Sequence, residues 1–183
     1  MNAVVKPEER KRYLLIGCGN DRSRRIRVGD QSNNFDDGDL VTLDLDPRTQ
    51  ADLQWDLNHL PYTFACDDEY DEIHAYEVLE HCGRQGDWRF FFAQFQEFWR
   101  ILKPGGLLVA SCPMWDSPWA WGDPGHTRVV SRQSLTFLSQ REYEVQIGKT
   151  GMTDYRHCYS GDFEIVGVQE AEHNFGFVLK AIK

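Results

Sequence analysis

A short apolar run, Tyr13 to Ile16, ends on Gly17-Cys18-Gly19, and this junction of strand and glycines constrains the fold more than any other feature of the chain. Two glycines one residue apart let a backbone bend sharply as it leaves a buried strand. They also leave space beside it into which no Cβ intrudes. A second run, Leu40 to Leu45, stops at Asp46 and Pro47. A weaker third lies at Asp52 to Leu57, a fourth at Glu72 to Tyr76, and a fifth, Leu107 to Ser111, follows Pro104-Gly105-Gly106. Between the last two, Trp88, Phe91, Phe92, Phe95, Trp99 and Leu102 recur at helical spacing, with Arg89, Gln94, Gln96, Glu97 and Arg100 on the other faces. The spacing predicts an amphipathic helix whose aromatic stripe is core. Ser131 to Leu138 reads as a helix opened by a serine cap, and Phe163 to Val168 and Phe177 to Ile182 as two closing strands.

Strands alternating with helices, then a final strand pair, predict a three-layer α/β domain whose ligand sits at the carboxyl ends of the central strands. At 183 residues, without repeats or a Ser/Pro-rich linker, the chain is expected to form one domain over 1–183. Its 41% hydrophobic and 13% aromatic content excludes a disordered acidic tail, and its net charge of −9 argues against duplex nucleic acid as a general partner. Cys18, Cys66, Cys82, Cys112 and Cys158 are odd in number and include no C-x-x-C pair, which fits reduced thiols in the cytoplasm. Met1 to Tyr13 carries charge without an apolar signal region, and no apolar run approaches 18 residues, so neither export nor membrane insertion is expected.

Asp44 ends the second strand 25 residues after Gly19, where a carboxylate can accept both hydrogen bonds of a ribose diol. Asp46 competes for that role, and both also read as plain solvated strand-end carboxylates. A dinucleotide site calls for a glycine at position 22, where the following helix must pack closely. Arg22 stands there, which disfavours an NAD-type oxidoreductase.

Six segments taken together resemble the class I S-adenosylmethionine-dependent methyltransferases of the type 11 group: Leu14 to Asn20, Thr42 to Pro47, Asp56 to Tyr62, Tyr70 to Ile73, Val78 to His81 and Arg100 to Gly106. The resemblance spans about residues 13 to 113. It implies a Rossmann-like three-layer α/β/α sandwich with a mostly parallel seven-stranded sheet and an antiparallel last strand. It also implies S-adenosylmethionine as cofactor, with Gly17, Cys18, Gly19 and Asn20 beneath the methionine part and Asp44 on the ribose. Asp56 would take the adenine amino group, Leu57 and Leu45 would flank the ring, and Ala75, Tyr76 and Glu77 would line the methionine end. Lys103 to Gly106 would be a turn into the fifth strand. Two departures stand out: the family's acidic residue two places before the first glycine is Leu15, and its third glycine is Asp21, whose carboxylate is expected to supply the missing negative charge. Asn20 to Asp39 shows no amphipathic helix, so the first crossover is expected to be short or irregular.

Pro113 to His126 packs three tryptophans, three prolines and two glycines into a stretch read as too irregular for helix or strand. In a substrate loop at about 113–130, Trp115, Trp119 and Trp121 offer aromatic faces for a planar, sugar or cationic acceptor. The plain alternative is a hydrophobic plug. His126, within a D-P-x-H-like stretch that the family resemblance also places in this loop, is the candidate general base, because imidazole exchanges protons near neutrality. Fixing the loop by hydrogen bonding is its alternative role, and His81 reads as structural. Arg22, Arg24, Arg25 and Arg27 form a run suited to phosphate or to a solvated face balanced by Asp30, Asp36, Asp37 and Asp39. His81-Cys82 and His157-Cys158 lack further metal-ligand spacing, so no metal is expected. Methyl transfer to a small-molecule or saccharide acceptor is thus the leading expectation. The alternatives are S-adenosylmethionine binding without catalysis and a nucleic-acid methyltransferase.

Overall fold

The computed structural model describes residues 10–183; the first nine, part of the charged N-terminal stretch, lie outside them. In chain order the elements are β1 (Lys11–Ile16), β2 (Gly38–Asp44), β3 (Leu53–Gln54), β4 (Tyr70–Tyr76), α1 (Trp88–Ile101), β5 (Leu102–Pro113), α2 (Pro118–Gly122), α3 (Arg132–Thr136), α4 (Gln140–Gln146), β6 (Phe163–Glu170) and β7 (Asn174–Ala181). They build one seven-stranded sheet in the order β3-β2-β1-β4-β5-β7-β6. Strands β1 to β5 pair in parallel, and β7 runs antiparallel to both β5 and β6. This is the expected Rossmann-like sheet with its antiparallel last strand. The weak third run contributes only the two residues of β3.

Register aligns the strand ends that matter. Ile16 pairs with Leu43 on one side and Ala75 on the other, and Ala75 pairs with Ala110, so β1, β2, β4 and β5 finish along one edge. Residues 103–106 leave the ladder, since Tyr70 pairs with Leu102 and Glu72 with Leu107. Gly105 takes a φ of +76° in that excursion, and Lys103 Nζ reaches Asp71 at 2.9 Å.

The two faces of the sheet are covered differently. One carries Leu14, Ile16, Ile73, Leu108 and Leu179 against Phe92, Phe95, Phe98 and Ile101 of α1, a helix capped by the Asp87 carboxylate, which accepts the Phe90 N–H. Burial of each phenyl ring contributes about 1.5–3 kcal/mol, far more than the cap. Contrary to the outward position expected of Gln94, its side chain is buried. It donates to the Tyr62 hydroxyl at 3.1 Å and accepts from Arg128 Nη2, so a buried polar link replaces a hydrophobic contact on that face.

The other face, with Tyr13, Leu15, Tyr76, Val109 and Val178, packs against Ile26, Val28 and Phe35 from a segment without helix, as the missing amphipathic pattern predicts. Arg24 belongs to this layer. Its side chain is fully buried, 4.2 Å over the Phe35 ring and 4.6 Å over Tyr13, and its Nη2 pairs with Asp37 at 2.8 Å. One arginine of the run is therefore structural. Within the tryptophan-rich stretch, the expected absence of regular structure gives way to α2, because Ser117 caps it and Pro118 occupies its first turn. No helix is long and apolar enough to cross a membrane, among the described residues.

Candidate active site

At the aligned strand ends lies a cleft of about 260 Å³. Its floor is the turn after β1. The N–H groups of Gly17 and Cys18 both donate to the Leu43 carbonyl, at 2.8 and 3.3 Å, folding the turn against β2. A Cβ on Gly17 (φ +60°) would stand 2.2 Å from Val78 Cγ2, whereas one on Gly19 (φ +50°) would meet nothing within 4 Å. The first glycine is required by packing. At the second, the space beside the backbone is open to a ligand.

Asp44 closes this turn. Its Oδ2 accepts the Gly19 N–H at 2.8 Å and its Oδ1 the Asp46 N–H at 2.9 Å, which fixes the carboxylate while leaving further acceptor positions on each oxygen. Asp46 turns to Arg48 instead, with its carboxyl drawn down to about 2 by those hydrogen bonds. Farther along the cleft, Asp56 accepts the backbone and side-chain amides of Asn58, which hold its carboxyl below the ordinary range. Leu45, Leu57 and Trp55 supply apolar wall, with the Trp55 Nε1–H spent on the His59 carbonyl at 3.1 Å.

At the opposite end stands Glu77, in the left-handed region (φ +56°). Its Oε1 accepts from Ser111 Oγ at 2.6 Å and Asn174 Nδ2 at 2.7 Å. A non-glycine residue held at positive φ by such contacts is a strained position of the kind that clusters at functional sites.

Of the residues predicted from sequence, Gly17, Asp44, Leu45, Asp56, Leu57 and Glu77 line this cleft. Cys18, Ala75 and Tyr76 do not: all three are buried, and the Tyr76 hydroxyl donates to His74 Nδ1 at 2.7 Å on the far face. Gly19 and Asn20 are not in its lining either; Gly19 belongs to the turn that Asp44 holds. Leu15 is buried in the second core. Asp21 is not among the residues lining the cleft: it accepts from the N–H and hydroxyl of Ser23 and pairs with Arg25 at 3.4 Å, whereas Asp44, Asp56 and Glu77 are the carboxylates in the lining. Sequence reasoning passed over Trp55, Asn58, Val78 and Asn174. Asn174 reaches the site from the antiparallel strand, 97 residues from Glu77, and no local pattern signals such a contact.

Next to the cleft, the turn Leu79–His81 carries Glu80, whose carboxylate is buried and whose two oxygens have no hydrogen-bond partner among the described residues. Burial pushes its carboxyl up to about 7. The loop bearing His126 is stitched onto this turn. Thr127 N and Arg128 N donate to the Glu80 carbonyl at 2.8 and 3.2 Å, and His81 Nδ1 to the Gly125 carbonyl at 3.0 Å. The His81 and His126 rings consequently meet edge to face with centroids 4.7 Å apart. His126 Nδ1 donates to the Trp119 carbonyl at 2.8 Å, which leaves Nε2 as its lone pair. Beyond it, Trp115 and Trp121 line a shallow groove with Gln85, Val129, Ser131 and Ser134, while Trp119 is exposed outside that groove. An apolar cavity of about 240 Å³ beside Trp88, Phe91 and Tyr155 shares Gln85, Val129 and Ser134 with it.

No protein-family model and no curated protein matches the sequence. Solved structures match the fold. An S-adenosylmethionine-dependent methyltransferase from Archaeoglobus fulgidus aligns with a TM-score of 0.55 at 15% identity over 93% of this chain and 86% of its own. One from Mesorhizobium loti gives 0.53 at 15% identity over 96% and 93%. The [4+2]-cyclase SpnF gives 0.54 at 13% identity over 95% and 76%. The fold is that of the class I S-adenosylmethionine-dependent methyltransferases. SpnF is named a cyclase, and a fold does not fix a reaction, which has to be argued from the site.

Proposed function

We propose that this protein binds S-adenosylmethionine in the cleft at the ends of β1, β2 and β4 and transfers its methyl group to a small-molecule or saccharide acceptor held against the tryptophan loop. One observation carries the reading: the glycine turn, through Gly17, and the Asp44 and Asp56 carboxylates line a single cleft, with Asp44 fixed by the Gly19 N–H. The residues fit the cofactor. Asp44 keeps lone pairs for a ribose diol, Asp56 takes an adenine amino group, Trp55, Leu45 and Leu57 flank a flat ring, and Glu77 faces an ammonium.

When bound, S-adenosylmethionine supplies an electrophilic methyl group on a sulfonium, which needs an electron-rich acceptor approaching in line. The chain's own residues position it. Trp115 and Trp121 line the groove that would receive the acceptor, and His126, whose Nδ1–H goes to the Trp119 carbonyl, would use Nε2 to take a proton from a hydroxyl.

Calorimetric titration with S-adenosylmethionine and S-adenosylhomocysteine tests the cofactor assignment. Micromolar binding of both, lost in Asp44→Ala, is the expected result. Failure of the unaltered protein to bind either ligand refutes it. Binding without turnover across an acceptor screen would leave a cofactor-binding protein without catalysis.

A further inference from the structure

Glu80, His81 and His126 form a cluster that the nucleoside cleft does not use. One donor atom from each lies within 4.8 Å of the others. We infer that Glu80, His81 and His126 bind a divalent first-row transition ion at the seam between the cofactor cleft and the tryptophan loop.

A carboxylate taken out of water without a partner costs several kcal/mol, so native structures pair such groups or give them a cation. Here Glu80 is 2% exposed and neither oxygen is satisfied among the described residues. The buried Arg128 cation acts on Glu80 through its charge but makes no hydrogen bond to it: Nε goes to the Leu79 carbonyl at 2.8 Å, Nη2 goes to Gln94, and Nη1 is itself unpartnered among the described residues.

The histidines are prepared for ligation. Each donates Nδ1–H to a backbone carbonyl, His81 to Gly125 and His126 to Trp119, and this fixes the tautomer that presents Nε2 as a lone pair. Metal-bound histidines are ordinarily held in this way by their second nitrogen. Asp123 Oδ2, 3.8 Å from His126 Nε2, adds negative charge on the exposed side. Two imidazoles and a carboxylate suit zinc, cobalt, iron or manganese, whereas magnesium and calcium prefer oxygen alone.

Location gives the ion a use. His81 also lines the cofactor cleft, and the segment after His126 runs through Val129 into the tryptophan groove. Three protein ligands leave a coordination position open. On the reading of the cleft as a methyl-donor site, that position would hold an oxygen of the acceptor. An ion on His126 takes the lone pair a general base would use, so ligation and base catalysis by His126 are mutually exclusive.

The test is titration of the full chain, freed of metal by dialysis against chelator, with Co²⁺ alone. We expect one equivalent to bind, with visible ligand-field bands that Zn²⁺ abolishes and a raised thermal midpoint. Glu80→Gln and the less buried His126→Asn, each checked for native circular dichroism, should both weaken binding by about tenfold or more. No stoichiometric Co²⁺ binding by the folded protein would overturn the inference. So would an affinity unchanged in both variants, which would put the ion elsewhere, for instance at His157 and Cys158. No cofactor is present in this titration, so its failure is distinguishable from failure of the methyl-donor reading.

Discussion

The Asp44 carboxylate accepts the Gly19 N–H at 2.8 Å, so the group proposed to hold the ribose also builds the turn beneath the rest of the cofactor. Asp44→Ala therefore has two consequences. Loss of the Gly19 and Asp46 hydrogen bonds should lower stability by about 1–3 kcal/mol, and cofactor binding should vanish. Asp44→Asn keeps one acceptor oxygen but turns an NH2 toward the other backbone N–H, so it should recover only part of the stability and little of the affinity. Urea denaturation beside calorimetry reads the two effects. Equal recovery of both would mean that Asp44 acts on the cofactor only through the turn.

Gly17 and Gly19 separate packing from ligand approach. Gly17→Ala places a methyl 2.2 Å from Val78 Cγ2 on top of an unfavourable φ, and should cost about 2–4 kcal/mol; adding Val78→Ala should relieve the clash but not the φ penalty. Gly19→Ala meets no atom within 4 Å, so about 1–2 kcal/mol of backbone strain is its whole structural cost. Its effect should fall on S-adenosylmethionine affinity. An affinity that follows only the stability loss would place the cofactor elsewhere.

How far the sequence reaches is clear from individual residues. Strand ends, the α1 stripe and Asp44 at the end of β2 are legible because period, glycine and strand-end position are local signals, whereas Asp56 is singled out only by the family resemblance. Gln94 and Arg24 are not: each is a polar residue on a face or in a run that reads as solvated, and each is buried through partners distant in sequence, Tyr62 and Arg128 for one, Phe35 and Asp37 for the other. The Glu80–His81–His126 cluster fails for the same reason. Its histidines are 45 positions apart and meet only because the Gly125 carbonyl accepts from His81 and the Thr127 and Arg128 amides donate to Glu80.

Arg24 fills the place a crossover helix would take, so its removal should be felt in the core. Arg24→Ala exposes the Phe35 and Tyr13 faces and strands a partly exposed Asp37. A loss of about 2–3 kcal/mol in urea denaturation is expected, less than for a fully buried pair because Asp37 retains solvent. Arg25→Ala, with its side chain half exposed beside Asp21, should change stability by no more than about 0.5 kcal/mol. Comparable losses from both would show that Arg24 acts as surface charge.

His74 gives the fold a pH dependence of its own. The ring is buried on β4, with Nε2 3.0 Å from Glu72 Oε2 and Nδ1 accepting from the Tyr76 hydroxyl, and it lies edge-on to Phe35 at 4.9 Å. Glu72 and Asp37 favour its protonation, but burial and the Arg24 cation oppose it, and burial prevails, lowering its pKa. Between that lowered value and about 6.5 the unfolded chain binds the proton more readily. The contribution of His74 is thus fully present above about pH 6.5 and is lost as pH falls toward the folded pKa, with a slope of up to about 1.4 kcal/mol per pH unit. Glu80 works in the opposite sense. Its carboxyl is raised to about 7, so the folded state binds the proton more readily above the ordinary carboxylate range, and stability falls as pH rises through that interval. The His74 effect is accordingly read as a difference, from urea denaturation of the protein and of His74→Gln between pH 5 and 8 in the presence of chelator. The two stability curves should run parallel above about pH 7 and converge on acidification; curves parallel throughout would mean that His74 is protonated in the folded state as easily as in the unfolded chain.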